Sequence, residues 1–101
     1  MNIDIKEEKN RKVVGIIGNL DGNTSEEARD KILAAVEDGT NLTLDMQECP
    51  YVSSAGLRTI LTIGKSIKLV GGEMDIINLS DEVRDVMDMT GFSTIFKTFE
   101  S

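Results

Sequence analysis

The chain has 101 residues, of which 40% are hydrophobic and 29% charged, a composition typical of one globular domain. With no histidine and a single cysteine, Cys49, it can form no Ser-His-Asp or Cys-His catalytic group, no His/Cys zinc site and no internal disulfide. Eighteen acidic and eleven basic residues give a net charge of −7, which disfavours direct binding of nucleic acid.

Nothing in the sequence predicts contact with a membrane. The first eight residues, MNIDIKEE, lack the apolar stretch of a signal peptide, and no apolar run is long enough to span a bilayer. We therefore expect a cytoplasmic protein in which the lone Cys49 packs as a small hydrophobic residue.

The first half of the chain predicts two strands, a helix and a third strand. Ile3 and Ile5 alternate with polar residues, and the polar segment 9–11, which ends at Arg11, separates them from a second apolar run at 13–17, as in a hairpin. The segment 18–23 is rich in turn residues. Thr24 and Glu27 then fit a capping box, in which the Thr24 hydroxyl accepts from the Glu27 N–H. The apolar residues that follow at helical spacing, before Gly39 ends the helix, are Ala28, Ile32, Ala35 and Val36.

The second half predicts two more helices and two more strands. Leu42 and Leu44 mark a strand that ends at Asp45. After Pro50 a helix begins at Ser53 or Ser54 and ends at the glycine pair 71–72. Its inner face is Leu57, Ile60, Leu61, Gly64 and Ile67; the next strand contains Met74, Ile76 and Ile77; and Ser80 caps a helix with inner residues Val83, Val86 and Met87 and a stop at Gly91. The last predicted strand contains Phe92, Ile95, Phe96 and Phe99.

The predicted order β-β-α-β-α-β-α-β defines an α/β fold. Strands that alternate with helices imply right-handed crossovers and a mostly parallel sheet, with the first strand as an antiparallel edge. We expect one domain over residues 1–101, with a mixed sheet of four or five strands, an N-terminal antiparallel hairpin and three or four helices.

Two motifs that suggest a nucleotide-binding loop and a catalytic nucleophile are excluded by their positions in the chain. Gly64, Lys65 and Ser66 resemble the end of a phosphate-binding loop, but the required earlier glycine is replaced by Thr59 and the segment lies inside a helix. Ser54 and Lys65 would form a Ser-Lys pair, yet eleven residues of helix separate their α-carbons by about 16 Å.

An acidic face follows Ser80. Carboxylates at this density can bind calcium or act as acid and base, but calcium loops need an irregular backbone. Helical spacing favours a solvated face that meets a basic partner. The residues concerned are Asp81, Glu82, Asp85 and Asp88.

Two adjacent hydroxyls stand where a loop becomes a helix, at Ser53 and Ser54. Serine is a preferred N-cap, and one of the two is expected to serve in that role. The other would be exposed beside free backbone N–H groups, which accommodate a phosphate well. On the residues alone, a structural cap and a modified serine both remain open.

The segment 45–58, DMQECPYVSSAGLR, resembles the STAS-domain anti-sigma factor antagonists of bacteria. The family pattern there is a strand ending in Asp, a short loop, an aromatic-apolar pair, and a Ser-x-Gly-Leu helix start. Further agreement lies at 18–21, 71–74 and 88–92, so the matching order covers the whole chain. The resemblance implies a STAS fold over residues 1–101.

The resemblance also implies a function by partner switching. The unphosphorylated antagonist binds an anti-sigma factor with ATP-dependent serine kinase activity and frees a sigma factor; phosphorylation reverses this, and a metal-dependent serine phosphatase restores the antagonist. The implied phosphoacceptor is Ser54. Ser53 is the second choice, because this chain has a second hydroxyl at the position where many members have Asp. No catalytic residue, cofactor or bound metal is implied for the chain itself, which is not expected to be an enzyme.

The expected partner surface surrounds these serines. Asp21, Asn23 and Thr24 lie in a loop at the end of the sheet where ligands approach open α/β folds, so we expect them to flank the same surface. The remaining expected contacts are Ser53, Ser54, Ala55, Gly56 and Arg58. The alternative function is a STAS binding module that is not phosphorylated, in another signalling assembly or for a small ligand.

Overall fold

The alternating isoleucines at the start of the chain belong to an edge strand, as predicted. In the computed structural model, which describes residues 2–89 and 97–99, β1 (Asn2–Glu8) and β2 (Arg11–Ile17) form an antiparallel hairpin. The turn lies at Lys9 and Asn10, and Asn10 adopts a left-handed φ of 60°, which asparagine tolerates in tight turns. Arg11 therefore begins the second strand and does not belong to the turn.

Helices and strands alternate through the rest of the chain. The sheet has the order β1-β2-β3-β4-β5, in which only the first pair is antiparallel among the described strands. This confirms the predicted α/β fold with a mostly parallel sheet and an antiparallel edge. The remaining elements are α1 (Ser25–Leu33), β3 (Leu42–Asp45), α2 (Ser54–Leu69), β4 (Met74–Ile77), α3 (Asp81–Met89) and β5 (Lys97–Phe99).

One face of the sheet and the three helices enclose a common hydrophobic core. Alternate residues of a strand point to the same face, and the parallel register aligns Val14 with Leu44 and Ile76. All three are fully buried. The helical residues buried in the same cluster are Ala28 and Ile32 of α1, Leu57, Ile60, Ile63 and Ile67 of α2, and Val83 and Met87 of α3.

The opposite face of the sheet carries a polar network across three strands. Arg11 donates to both carboxylate oxygens of Asp75 at 3.1 Å and also to the Thr43 hydroxyl. Thr43 is buried and donates to Asp75 Oδ1 at 2.5 Å. The network satisfies polar groups that the alternation of the strands places opposite the core.

The predicted capping box at the start of α1 is wrong. Thr24 is the N-cap residue, but its side chain makes no capping hydrogen bond. The hydroxyl instead donates to the Asn19 carbonyl at 2.8 Å and accepts from the Asp21 N–H at 3.0 Å. The hydroxyl is held by the preceding loop, and the Thr24 backbone lies in the helical region (φ −116°, ψ −18°) and not in the extended conformation typical of a capping residue.

Helix α1 also ends earlier than predicted, at Leu33. The N–H groups of Ala35 and Val36 donate to carbonyls three residues back, so the chain tightens into turns. Lys12 Nζ donates to the Ala35 carbonyl at 2.5 Å and ties this turn to β2. Ala35 and Val36 are half-buried and flank the core without extending the helix.

The later predicted boundaries agree with the structure where it describes them. Helix α2 is followed by Gly71 with a φ of 83°, which a non-glycine residue rarely adopts. The Ser80 hydroxyl accepts from the Val83 N–H at 3.2 Å, as expected of a helix cap. Phe99 lies in β5. The predicted stop at Gly91 and the strand residues Phe92, Ile95 and Phe96 lie outside the described residues.

Candidate functional site

The two adjacent serines occupy different positions at the start of α2. Ser53 has extended backbone, with φ −82° and ψ 176°, and its hydroxyl accepts from the Gly56 N–H at 3.2 Å. Ser53 is therefore the N-cap and is half-buried. Ser54 is the first helical residue; it is exposed, and its hydroxyl has no hydrogen-bond partner among residues 2–89 and 97–99.

The segment that precedes these serines is held by the main chain of Leu20. The Leu20 N–H donates to the Tyr51 carbonyl at 3.0 Å, and the Ser53 N–H donates to the Leu20 carbonyl at 2.9 Å. Leu20 and Val52 thus form a parallel bridge, and both side chains are buried. The bridge fixes the backbone next to Ser54 without using any side chain of the exposed surface.

Gly56 allows α2 to approach this bridge closely. A Cβ atom at this position would lie well inside van der Waals contact of the Leu20 carbonyl oxygen and 2.9 Å from Val52 Cγ1. The missing side chain therefore has a packing reason. Gly56 is buried, so among the predicted partner contacts it supports the surface and does not form part of it.

The loop with Asp21, Asn23 and Thr24 leaves the sheet beside the serines. Because the bridge between Leu20 and Val52 is parallel, Asp21 and Ser53 follow it in the same direction. The loop is closed by its own bonds: Asp21 Oδ1 accepts from the Asn23 N–H at 2.9 Å, and the Asp21 carbonyl accepts from the N–H groups at 24 and 25. The structure thus brings the predicted loop to the predicted serines, with Asn23 exposed and Thr24 half-buried.

Arg58 extends the exposed surface along α2. It lies four residues after Ser54, and side chains at this spacing neighbour each other on one face of a helix. Arg58 is exposed, and it forms no ion pair with the described part of the chain. Ala55 between them is half-buried. The surface around Ser54 thus combines a free hydroxyl with an unpaired cation.

Tyr51 is a residue of this surface that the sequence analysis did not select. Half of the Tyr51 side chain is exposed, although its carbonyl is held by Leu20 and its neighbour Val52 is buried. Exposed aromatic residues beside a polar site are frequent anchors at protein interfaces. The sequence signal that could have identified Tyr51 is its position next to Pro50, in the loop that leads into the serines.

The adjoining loop after β4 is fixed to the same end of the sheet. Asp45 Oδ1 accepts from Asn78 Nδ2 at 2.9 Å and from the Gln47 N–H at 3.0 Å. Asn78 has a left-handed φ of 59°. Asp45 at the end of β3 therefore joins the loops that follow β3 and β4.

Within residues 2–89 and 97–99, the other sequence motifs have no chemical partners. Gly64 is buried and Lys65 exposed in the middle of α2, where no phosphate-binding turn exists. The acidic residues Asp81, Glu82 and Asp85 are exposed on α3, as expected of a solvated face, and the side chain of the fourth, Asp88, lies outside the described part of the chain. Among the described residues no three His, Cys, Asp or Glu side chains are grouped to hold a metal ion.

The arrangement at Ser54 suits a hydroxyl that is modified by another protein. The first-turn amides of a helix have no partner within the helix and carry positive partial charge, which favours a phosphate at this end. Cys49 lies beneath the loop that leads into the serines, where its thiol donates to the Tyr51 carbonyl at 3.5 Å; it is buried, and burial raises the pKa of its thiol. Within the described part of the chain, no helix has the length and apolar character needed to cross a membrane.

Comparison with known proteins assigns the family. The model of the STAS domain matches residues 2–101. The chain is 30% identical over 95 residues to the anti-sigma-B factor antagonist of Bacillus subtilis, covering 94% of this chain and 87% of that protein. It is 30% identical over 105 residues to the anti-sigma F factor antagonist of Paenibacillus polymyxa, covering 100% and 90%.

The fold agrees with solved structures as well. The Bacillus cell fate determinant SpoIIAA in its phosphorylated form superposes with a TM-score of 0.76 at 19% identity, over 99% of this chain and 91% of that one. The match of the family model over nearly the whole chain, together with these relatives, is decisive. The chain belongs to the STAS domain family, as the resemblance at 45–58 predicted.

Proposed function

We propose that this protein is an anti-sigma factor antagonist whose binding is switched by phosphorylation of Ser54. The observation that carries the proposal is the exposed hydroxyl of Ser54 on the first residue of α2, beside a Ser53 that already serves as the cap. The relatives support it, since two are named as antagonists of anti-sigma factors and the SpoIIAA structure is of a phosphorylated protein.

The proposed cycle has one binding form and one non-binding form. The unphosphorylated protein binds an anti-sigma factor that is also a serine kinase, and the sigma factor held by that kinase is released. Transfer of the terminal phosphoryl group of ATP to Ser54 Oγ releases ADP and the hydroxyl proton, and it ends the interaction. A metal-dependent serine phosphatase hydrolyses the phosphoester. The chain itself acts as partner and substrate in the cytoplasm, and catalysis belongs to the other two proteins.

The charge of the phosphate is sufficient for the switch. Phosphoserine carries about −1.5 to −2 charges at pH 7. The first turn of α2 contains no acidic residue, so the unmodified hydroxyl presents a neutral helix start to the partner. At an interface from which water is excluded, a negative charge that lies against another negative charge, with no cation to pair it, costs several kcal/mol. This cost is equivalent to orders of magnitude in affinity.

The backbone around Ser54 need not rearrange for this switch. The main-chain bonds between Leu20 and the segment 51–53 hold the helix start in place, and none of them involves the Ser54 side chain. We therefore assign the switch to a local change of charge within the surface formed by Asp21, Asn23, Thr24, Ser53, Ser54, Ala55 and Arg58, with Gly56 as its support.

The site assignment is tested by mapping the phosphate. The purified protein is incubated with ATP and each serine-kinase anti-sigma factor of the source organism, and peptides are analysed by mass spectrometry. We expect one phosphate, on Ser54, in the wild type and in Ser53→Ala, and none in Ser54→Ala. A phosphate on Ser53 or at a distant residue would contradict the assignment.

The switch itself is tested by calorimetry with the same kinase. Ser54→Ala should bind about as tightly as the wild type, whereas Ser54→Asp should bind at least about tenfold more weakly because its carboxylate introduces charge at the interface. Ser53→Asp is the matched control for an acidic residue one position away. Equal affinity of Ser54→Ala and Ser54→Asp, without kinase labelling, would favour a STAS binding module that is not phosphorylated.

A further inference from the structure

The outer edge of β1 is an unpaired strand edge seven residues long. Strand β1 pairs with β2 on one side, and no other strand in the described part of the chain pairs with it. Six of its seven residues are exposed. An edge of this length presents a row of free N–H and C=O groups that can pair with another strand.

The register of the neighbouring strands shows which backbone groups are free. The Lys12 N–H donates to the Asn41 carbonyl on the β3 side, so the flanking residues Arg11 and Val13 point toward β1. Their partners in β1, Glu8 and Lys6, use their backbone groups in the hairpin. Because the direction alternates along a strand, the free groups belong to Ile3, Ile5 and Glu7.

We propose that β1 pairs in antiparallel fashion with β1 of a second copy of this chain, centred on Ile5. In this register Ile5 faces Ile5, and Ile3 faces Glu7, so all of the outward groups form hydrogen bonds. Asp4 then faces Lys6 of the second copy, and Lys6 faces Asp4. These are non-hydrogen-bonded pairs, in which the opposed side chains are closest.

Charge and exposure both select this register. Centring on Glu7 would place two glutamates opposite each other, and centring on Ile3 would leave the groups of Glu7 unpaired. Centring on Ile5 opposes no like charges. It also covers the Ile5 side chain, which is 39% exposed, on the same face of the sheet as Val14 of the core. The contact is isologous, so it closes with two copies and joins the two sheets into one.

Reversal of single charges tests the pairing. In the proposed register, position 4 of one copy faces position 6 of the other. Asp4→Lys therefore places two basic side chains opposite each other, and Lys6→Glu places two acidic side chains opposite each other. Each variant should weaken dimerisation at least about tenfold, since two opposed pairs change sign. An equimolar mixture of the two variants should dimerise again, because every pair in the mixed dimer is of opposite sign. The double variant Asp4→Lys/Lys6→Glu should also recover.

Sedimentation velocity up to millimolar protein, at about 0.15 M salt to screen the net repulsion, measures these equilibria. Lys9→Glu makes the same change of net charge as Lys6→Glu, but in the hairpin turn, and should dimerise like the wild type. Circular dichroism and thermal melting confirm that each variant is folded. A monomeric wild type at millimolar concentration, or a dimer that ignores both reversals, would overturn the proposal.

Discussion

Gly56→Ala tests the packing that supports the candidate site. The added methyl would overlap the Leu20 carbonyl oxygen and lie 2.9 Å from Val52 Cγ1, against about 3.5–4.0 Å for a favourable carbon contact. The Leu20 carbonyl cannot turn away, because it accepts from the Ser53 N–H at 2.9 Å. The helix and the loop must separate instead.

The magnitude follows from two opposing effects. Overpacking of this kind costs about 3 kcal/mol when backbone must move, and alanine regains about 1 kcal/mol of helix propensity over glycine. We expect a net loss of about 2 kcal/mol in the free energy of unfolding, measured with urea, or about 8–16 °C in Tm.

Gly22→Ala is the matched control for Gly56→Ala. A Cβ at Gly22 meets nothing within 4 Å, and the residue is not in the left-handed region. This variant should differ from the wild type by less than about 0.5 kcal/mol. A Gly56→Ala protein as stable as Gly22→Ala would refute the argument that close approach of α2 to Leu20 requires glycine.

Two further predictions concern side chains around the same loop. Ser53→Ala should lower the free energy of unfolding by about 1 kcal/mol because the Gly56 N–H loses its acceptor, whereas Ser54→Ala should be near neutral. Urea denaturation measures both values. A larger loss for Ser54→Ala would contradict the assignment of Ser53 as the cap. Cys49 should react with iodoacetamide far more slowly in the folded protein than in urea at about pH 8.5, because burial raises its thiol pKa. Since the unfolded chain then ionises first, stability should fall as the pH rises through the ordinary thiol pKa. Equal alkylation rates in the two states would show that the thiol is not protected.

The sequence alone predicted the elements whose patterns depend only on residues close together in the chain. The alternation at Ile3 and Ile5, and the cap at Ser80, depend on neighbouring residues alone, and both agree with the structure. The two serines were a different case, because either could cap a helix. The extended backbone of Ser53 and the helical backbone of Ser54 separate their roles, and that difference depends on where the chain leaves Val52.

Features that depend on distant contacts were not predictable. Leu20 was assigned to a turn, but its side chain is fully buried and its main chain binds the segment 51–53, more than thirty residues away. The capping box at Thr24 failed because Asn19 and Asp21 compete for the hydroxyl. The capping-box pattern includes only the cap residue and the helix that follows it, so it cannot predict hydrogen bonds from the preceding loop.

The same geometry explains why the fold would direct a kinase to one of two adjacent hydroxyls. Ser53 is half-buried and its Oγ already accepts from the Gly56 N–H, so this oxygen is less accessible to a kinase than the oxygen of the exposed Ser54. Ser54 Oγ can accept a phosphoryl group with every main-chain bond of the loop intact. The selectivity between the serines therefore does not require the kinase to read either neighbour: a single backbone transition from extended to helical leaves one oxygen engaged and the next one free.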